Sequence, residues 1–60
     1  MHEIRYAIKS KFGYWNADKR NWSATIYGST WYCSQPFADG QAEVLREKFG
    51  TKTWLATIKG

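Results

Sequence analysis

Polar and apolar positions alternate cleanly along Glu3–Lys9: Ile4, Tyr6 and Ile8 point one way, while Glu3, Arg5, Ala7, Lys9 and then Lys11 point the other. That period of two predicts a half-buried strand with a basic outer face. Gly13, between Phe12 and Tyr14-Trp15, marks a turn, so "YAIKS-KFG-YWN" reads as a first hairpin. Residues 16–21, "NADKRN", are polar and turn-prone. Alternation resumes in "WSATIYG", with Trp22, Ala24 and Ile26 opposite Ser23, Thr25 and Tyr27. Gly28-Ser29 then suggests a tight turn into "TWYCS", where Trp31 and Cys33 oppose Thr30, Tyr32 and Ser34. The single proline, Pro36, ends this β region because it cannot donate to a ladder.

The period then changes. Ala42, Leu45 and Phe49 fall at helical spacing, Asp39 is a candidate N-cap, and Gly50 a candidate C′ residue. Arg46 and Lys48 sit in the last turn, where cations suit the helix dipole. These signals predict a helix over 39–49. "TKTWLATIK" returns to alternation, with Trp54, Ala56 and Ile58 opposing Thr53, Leu55 and Thr57, as a final strand. The order β-β-β-(β)-α-β predicts one two-layer α+β domain over 1–60. Its mostly antiparallel sheet of three to five strands has one helix on one face. One short helix leaves the other sheet face open. By parity that face carries Arg5, Lys9, Lys11, Tyr27 and Tyr32, whereas Trp22, Trp31 and Trp54 are expected inside. Trp15 is balanced between the two.

Composition narrows the function classes. Sixty residues bury little core, yet four Trp, four Tyr and three Phe supply large buried areas. Cys33 is the only cysteine, so no internal disulfide can form, which suits a reducing cytoplasm; it is expected as a buried thiol. No Cys/His cluster suggests zinc, and no metal or cofactor is expected. "MHEIRYAIKSKF" has no apolar core of a signal peptide, and no run reaches the length of a membrane span. The only histidine is His2, and the acids Glu3, Asp18, Asp39, Glu43 and Glu47 form no catalytic pair; Glu43 and Glu47 read as a solvated helix face. A non-enzymatic module is expected.

The net charge is +4, unevenly spread. Residues 1–34 carry five basic groups (Arg5, Lys9, Lys11, Lys19, Arg20) against Glu3 and Asp18, a net of +3, and the remainder nets +1. The plainer meaning is solubility. The functional meaning is a basic half-surface that favours polyanions. The candidate nucleic-acid-binding residues are Arg5, Lys9, Lys11, Trp15, Lys19, Arg20, Tyr27 and Tyr32, with cations for phosphates and rings for bases or sugars. The alternative is a protein partner, the aromatic face being the anchor cluster of a phage- or mobile-element-type modulator of a host enzyme, with homodimerisation a third reading.

Two resemblances bear on this. "WNADK" is similar to the phosphate-facing strand of cold-shock domains, but the glycine-aromatic repeat does not follow and the chain contains a helix, so the match is set aside as coincidence. "NWSATI…TWYCSQPFADGQAEVLREKF" resembles the AP2 and integrase-arm type of DNA-binding domain through Trp22, Ala24 and Ile26, a second aromatic strand, and Phe37 shortly before Ala42. The resemblance covers about half the chain and implies a three-stranded sheet entering the major groove of duplex DNA with a helix behind it. The outward strand positions that hold arginines in that family hold Ser23, Thr25 and Tyr27 here, so groove contacts would fall to Arg5, Lys9, Lys11, Lys19 and Arg20.

Overall fold

A computed structural model describes residues 4–59; His2 and Glu3 lie outside them. Four antiparallel strands form one sheet: β1 (Ile4–Ser10), β2 (Gly13–Asn16), β3 (Asn21–Ser23) and β4 (Thr53–Lys59), in the spatial order β3-β2-β1-β4. One helix, α1 (Gln35–Phe49), packs on one face. This is the two-layer α+β domain that the pattern predicts.

The first hairpin turns on Lys11 and Phe12, with Ser10 opposite Gly13. The Ser10 hydroxyl, almost fully buried, accepts from the Phe12 amide (3.0 Å) and holds the turn. Gly13 has φ +123°, and a Cβ there would lie 2.3 Å from the Ser23 carbonyl oxygen. Only glycine permits β3 to come that close.

Ile8, Trp15, Ala42 and Leu45 form the core, with Trp22, Tyr32 and Leu55 packed against it. Trp15 is therefore a core residue. Trp15 and Trp22 are cross-strand partners, their rings 5.1 Å apart and edge-on, and Phe49 contacts both (5.6 and 5.4 Å). Such edge-to-face pairs add roughly 0.5–1.5 kcal/mol each beyond burial.

The helix starts four residues earlier than its apolar stripe suggests, and Asp39 lies inside it. Ser34 is the N-cap, its hydroxyl accepting from the Phe37 amide (3.4 Å). Pro36 falls in the first turn, where no amide donor is required, so it opens the helix instead of ending a strand. The buried stripe is Ala38, Ala42 and Leu45; Phe49 is 37% exposed but reaches the aromatic cluster. Gly50 adopts the left-handed conformation (φ 62°) and closes the helix. The Thr53 hydroxyl donates to the Ala42 carbonyl (2.7 Å), and Arg46 donates to the Thr53 carbonyl (3.3 Å), fastening α1 to β4.

The middle of the chain departs from its alternation. The ladder of β3 stops at Ser23, a 3-10 turn spans Ile26–Gly28, and Tyr32 makes an isolated bridge to Tyr6. The reason is competition for backbone groups. The Ser23 hydroxyl donates to the Thr25 carbonyl (2.9 Å) and accepts from its amide (3.3 Å). The Thr30 amide donates to the Trp15 carbonyl (2.9 Å). The local side-chain bonds of Ser23 and this long-range backbone bond stand in place of a sheet ladder.

A candidate nucleic-acid interface on the open sheet face

Register decides which residues meet on the face away from α1. Lys9 of β1 lies directly opposite Tyr14 on β2 and opposite Trp54 on β4. Ile8, Trp15 and Leu55, the chain neighbours of these three, pack with the helix. Alternation therefore sends Lys9, Tyr14 and Trp54 to the other side. The pairs Ala7–Ala56 and Arg5–Ile58 continue the same face along β1 and β4.

The surface is aromatic and cationic. Trp54 is 48% exposed. The Lys9 ammonium donates to the Tyr14 hydroxyl (3.2 Å) and sits 4.8 Å from the centre of its ring. Between the Lys9–Trp54 and Arg5–Ile58 pairs lie Ala7, which is fully buried, and Ala56, which is half-buried, so this stretch of the face is covered. Among the described residues, the carboxylates are Asp18 in the turn after β2 and Asp39, Glu43 and Glu47 on α1. None of these four lies on a strand of this face.

The β2–β3 side of the face is bounded by the loop 24–31. Asn16 donates to the Gly28 carbonyl (2.8 Å), and the Ser23 hydroxyl bonds to Thr25. Tyr27, 83% exposed, lies on this rim with its ring 6.5 Å from that of Trp31. The Trp31 indole donates to the Ile26 carbonyl (2.9 Å). Lys19 and Arg20 stand exposed in the turn between β2 and β3. There Asn16 Oδ1 accepts from the Lys19 amide (3.0 Å), and Arg20 takes the left-handed conformation (φ 53°).

The structure thus brings Arg5 and Lys9 together on the open face, with Tyr27 on its rim and Lys19 and Arg20 in the adjoining turn. It moves three other candidates elsewhere. Trp15 is 6% exposed, under the helix, because its cross-strand register with Trp22 points both indoles inward. Lys11 leaves the strand parity at the turn, and its ammonium lies 5.2 Å over the Phe12 ring, which packs beside Trp22 and Phe49 on the helix side. Tyr32 also faces the helix, its ring 5.6 Å from Phe37. Burial raises its phenol above the ordinary tyrosine value of 10.0.

Two expected core residues lie outside instead. Trp54 is on the open face, and Trp31 is 42% exposed. Cys33 is exposed as well, because the segment carrying it has only the single bridge at Tyr32. The sequence pattern does not place Trp54 on this face because its strand shows apolar residues on both sides; the pairing of Leu55 with Ile8 resolves it. The Trp22 indole N–H is buried without a hydrogen-bond partner, within the aromatic cluster.

The described residues enclose no pocket, and no three His, Cys, Asp or Glu side chains among them gather as metal ligands. No helix among them is long and apolar enough to cross a membrane. No family model, curated protein or solved structure matches this chain.

Proposed function

We propose that this chain is a non-enzymatic nucleic-acid-binding module acting through the exposed face of β1, β2 and β4. The observation that carries the reading is the grouping of cations and aromatic rings on one face of the sheet. Lys9 lies directly opposite Tyr14 and Trp54, and Arg5 falls on the same face. Cations on such a surface bind phosphates, and the rings offer flat apolar area to bases or sugars. The expected binding residues are Arg5, Lys9, Tyr14 and Trp54, with Tyr27, Lys19 and Arg20 at the margin.

The test is a titration against generic single-stranded and duplex DNA at low and moderate salt. If Lys9 and Arg5 each neutralise one phosphate, affinity falls about tenfold between 50 and 200 mM salt. Lys9→Glu lowers affinity at low salt by a similar factor. Absence of binding to either form at low salt refutes the proposal.

A protein partner is the second reading. It is favoured by Phe37 and Val44, seven residues apart on α1 and 57% and 56% exposed. Exposed apolar side chains at helical spacing suit a protein contact better than a polyanion. Capture of a defined protein by the wild-type chain, lost in Phe37→Ser/Val44→Ser, together with no DNA binding, selects this reading.

A further inference from the structure

Resting on the nucleic-acid reading, we infer that the ligand is a single strand with unstacked bases, and that Trp54 and Tyr14 are its two stacking platforms. Both residues lie directly opposite Lys9, one on each neighbouring strand. Adjacent strands are about 4.8 Å apart, so the two rings are anchored about 9–10 Å from each other. Successive bases in a duplex strand are only about 3.4 Å apart. Their faces are already covered by neighbours. Two bases lying on Trp54 and Tyr14 must therefore be parted from one another, a state open to a flexible single strand and closed to an intact duplex.

The shape of the face agrees. Reading a duplex through its major groove takes a protruding helix or β-ribbon. Here α1 lies behind the sheet, packed on the face opposite Lys9 and Trp54. The open face instead presents Trp54, 48% exposed, directly opposite Lys9. A base laid on the Trp54 ring brings its backbone phosphate toward Lys9, the cross-strand partner of that ring. This arrangement differs from the duplex-groove docking that the AP2-type resemblance implies.

The inference is tested with the full chain and three probes: a short mixed-sequence DNA strand, the same sequence as RNA, and the DNA strand annealed to its complement. Tryptophan quenching and fluorescence anisotropy are read at low salt. The single strands are expected to bind at least tenfold more tightly than the duplex. Trp54→Ala is expected to weaken single-strand binding about tenfold or more, with the salt slope unchanged and Trp54→Phe restoring most of the loss. Tyr14→Leu gives a second, smaller loss and serves if Trp54→Ala does not fold. Equal or tighter duplex binding overturns the single-strand inference and leaves the nucleic-acid proposal standing. Single-strand binding indifferent to both ring substitutions overturns the platforms. Failure of all three probes refutes the proposal beneath it.

Discussion

Replacing Gly13 by alanine probes the tightest backbone approach in the fold. At φ +123° an L-residue is strained, by about 1–3 kcal/mol. The new Cβ would also stand 2.3 Å from the Ser23 carbonyl oxygen and 3.1 Å from its carbon, where ordinary contact begins near 3.4 Å. Both atoms are backbone, so no side-chain rotation relieves the clash. Strand β3 has to move off β2, weakening the Tyr14–Ser23 pair and loosening Trp22 from Trp15. One lost ladder bond adds roughly 0.5–1.5 kcal/mol. The total is about 1.5–4.5 kcal/mol, against a stability of about 3–9 kcal/mol for a chain of this length. In a melt followed by far-ultraviolet circular dichroism, the midpoint falls by at least about 6 °C. Gly40→Ala is the matched control. Gly40 lies inside α1, and a Cβ there meets nothing within 4 Å. Alanine at this position is expected to stabilise by about 0.5–1 kcal/mol. A Gly13→Ala loss below about 1 kcal/mol, or two variants shifting in the same direction, refutes the close-approach argument. A Gly13→Ala chain that does not fold at 25 °C is the expected outcome at larger magnitude.

Two further predictions concern the seam between sheet and helix. Thr53→Val keeps the side-chain shape but removes the hydroxyl that donates to the Ala42 carbonyl, so urea unfolding should show a loss of about 1 kcal/mol with an unchanged m-value; a neutral result would mean that this bond contributes nothing net. For Tyr32 the folded-state phenol titrates above its unfolded value, so the unfolded chain gives up the proton first and stability is lost as pH rises through that interval. Wild type is therefore fully stabilised below about pH 10 and falls above it, whereas Tyr32→Phe lacks this contribution and declines less steeply. Parallel alkaline curves for the two proteins would show that Tyr32 burial does not couple to folding.

Much of the fold was legible because local signals agreed with one another. The alternation of Ile4, Tyr6 and Ile8, the turn before Gly13, the Ala42–Leu45 stripe, the Gly50 cap and the alternation of the last strand all became elements of the structure. The segment 24–34 did not follow its pattern. Its Ser and Thr hydroxyls bond to nearby backbone, and the Tyr32 bridge to Tyr6 depends on a residue 26 positions earlier in the chain. Of the candidate site, Arg5 and Lys9 were readable from parity alone, whereas Trp54 was not.

What the sequence determined by itself was which residues of β1 and of β4 share a face, because side-chain direction in a strand has a strict period of two. It also set where the helix stops, because Gly50 takes a left-handed conformation at little cost. Which face of the last strand meets the helix was decided only in three dimensions. Trp54, Ala56 and Ile58 form the more apolar set, yet Thr53 and Leu55 face inward. Register against β1 sets Leu55 beside Ile8, and the Thr53 hydroxyl finds the Ala42 carbonyl, so a polar side chain is satisfied in the core. The largest ring of that strand is thereby left outside, opposite Lys9.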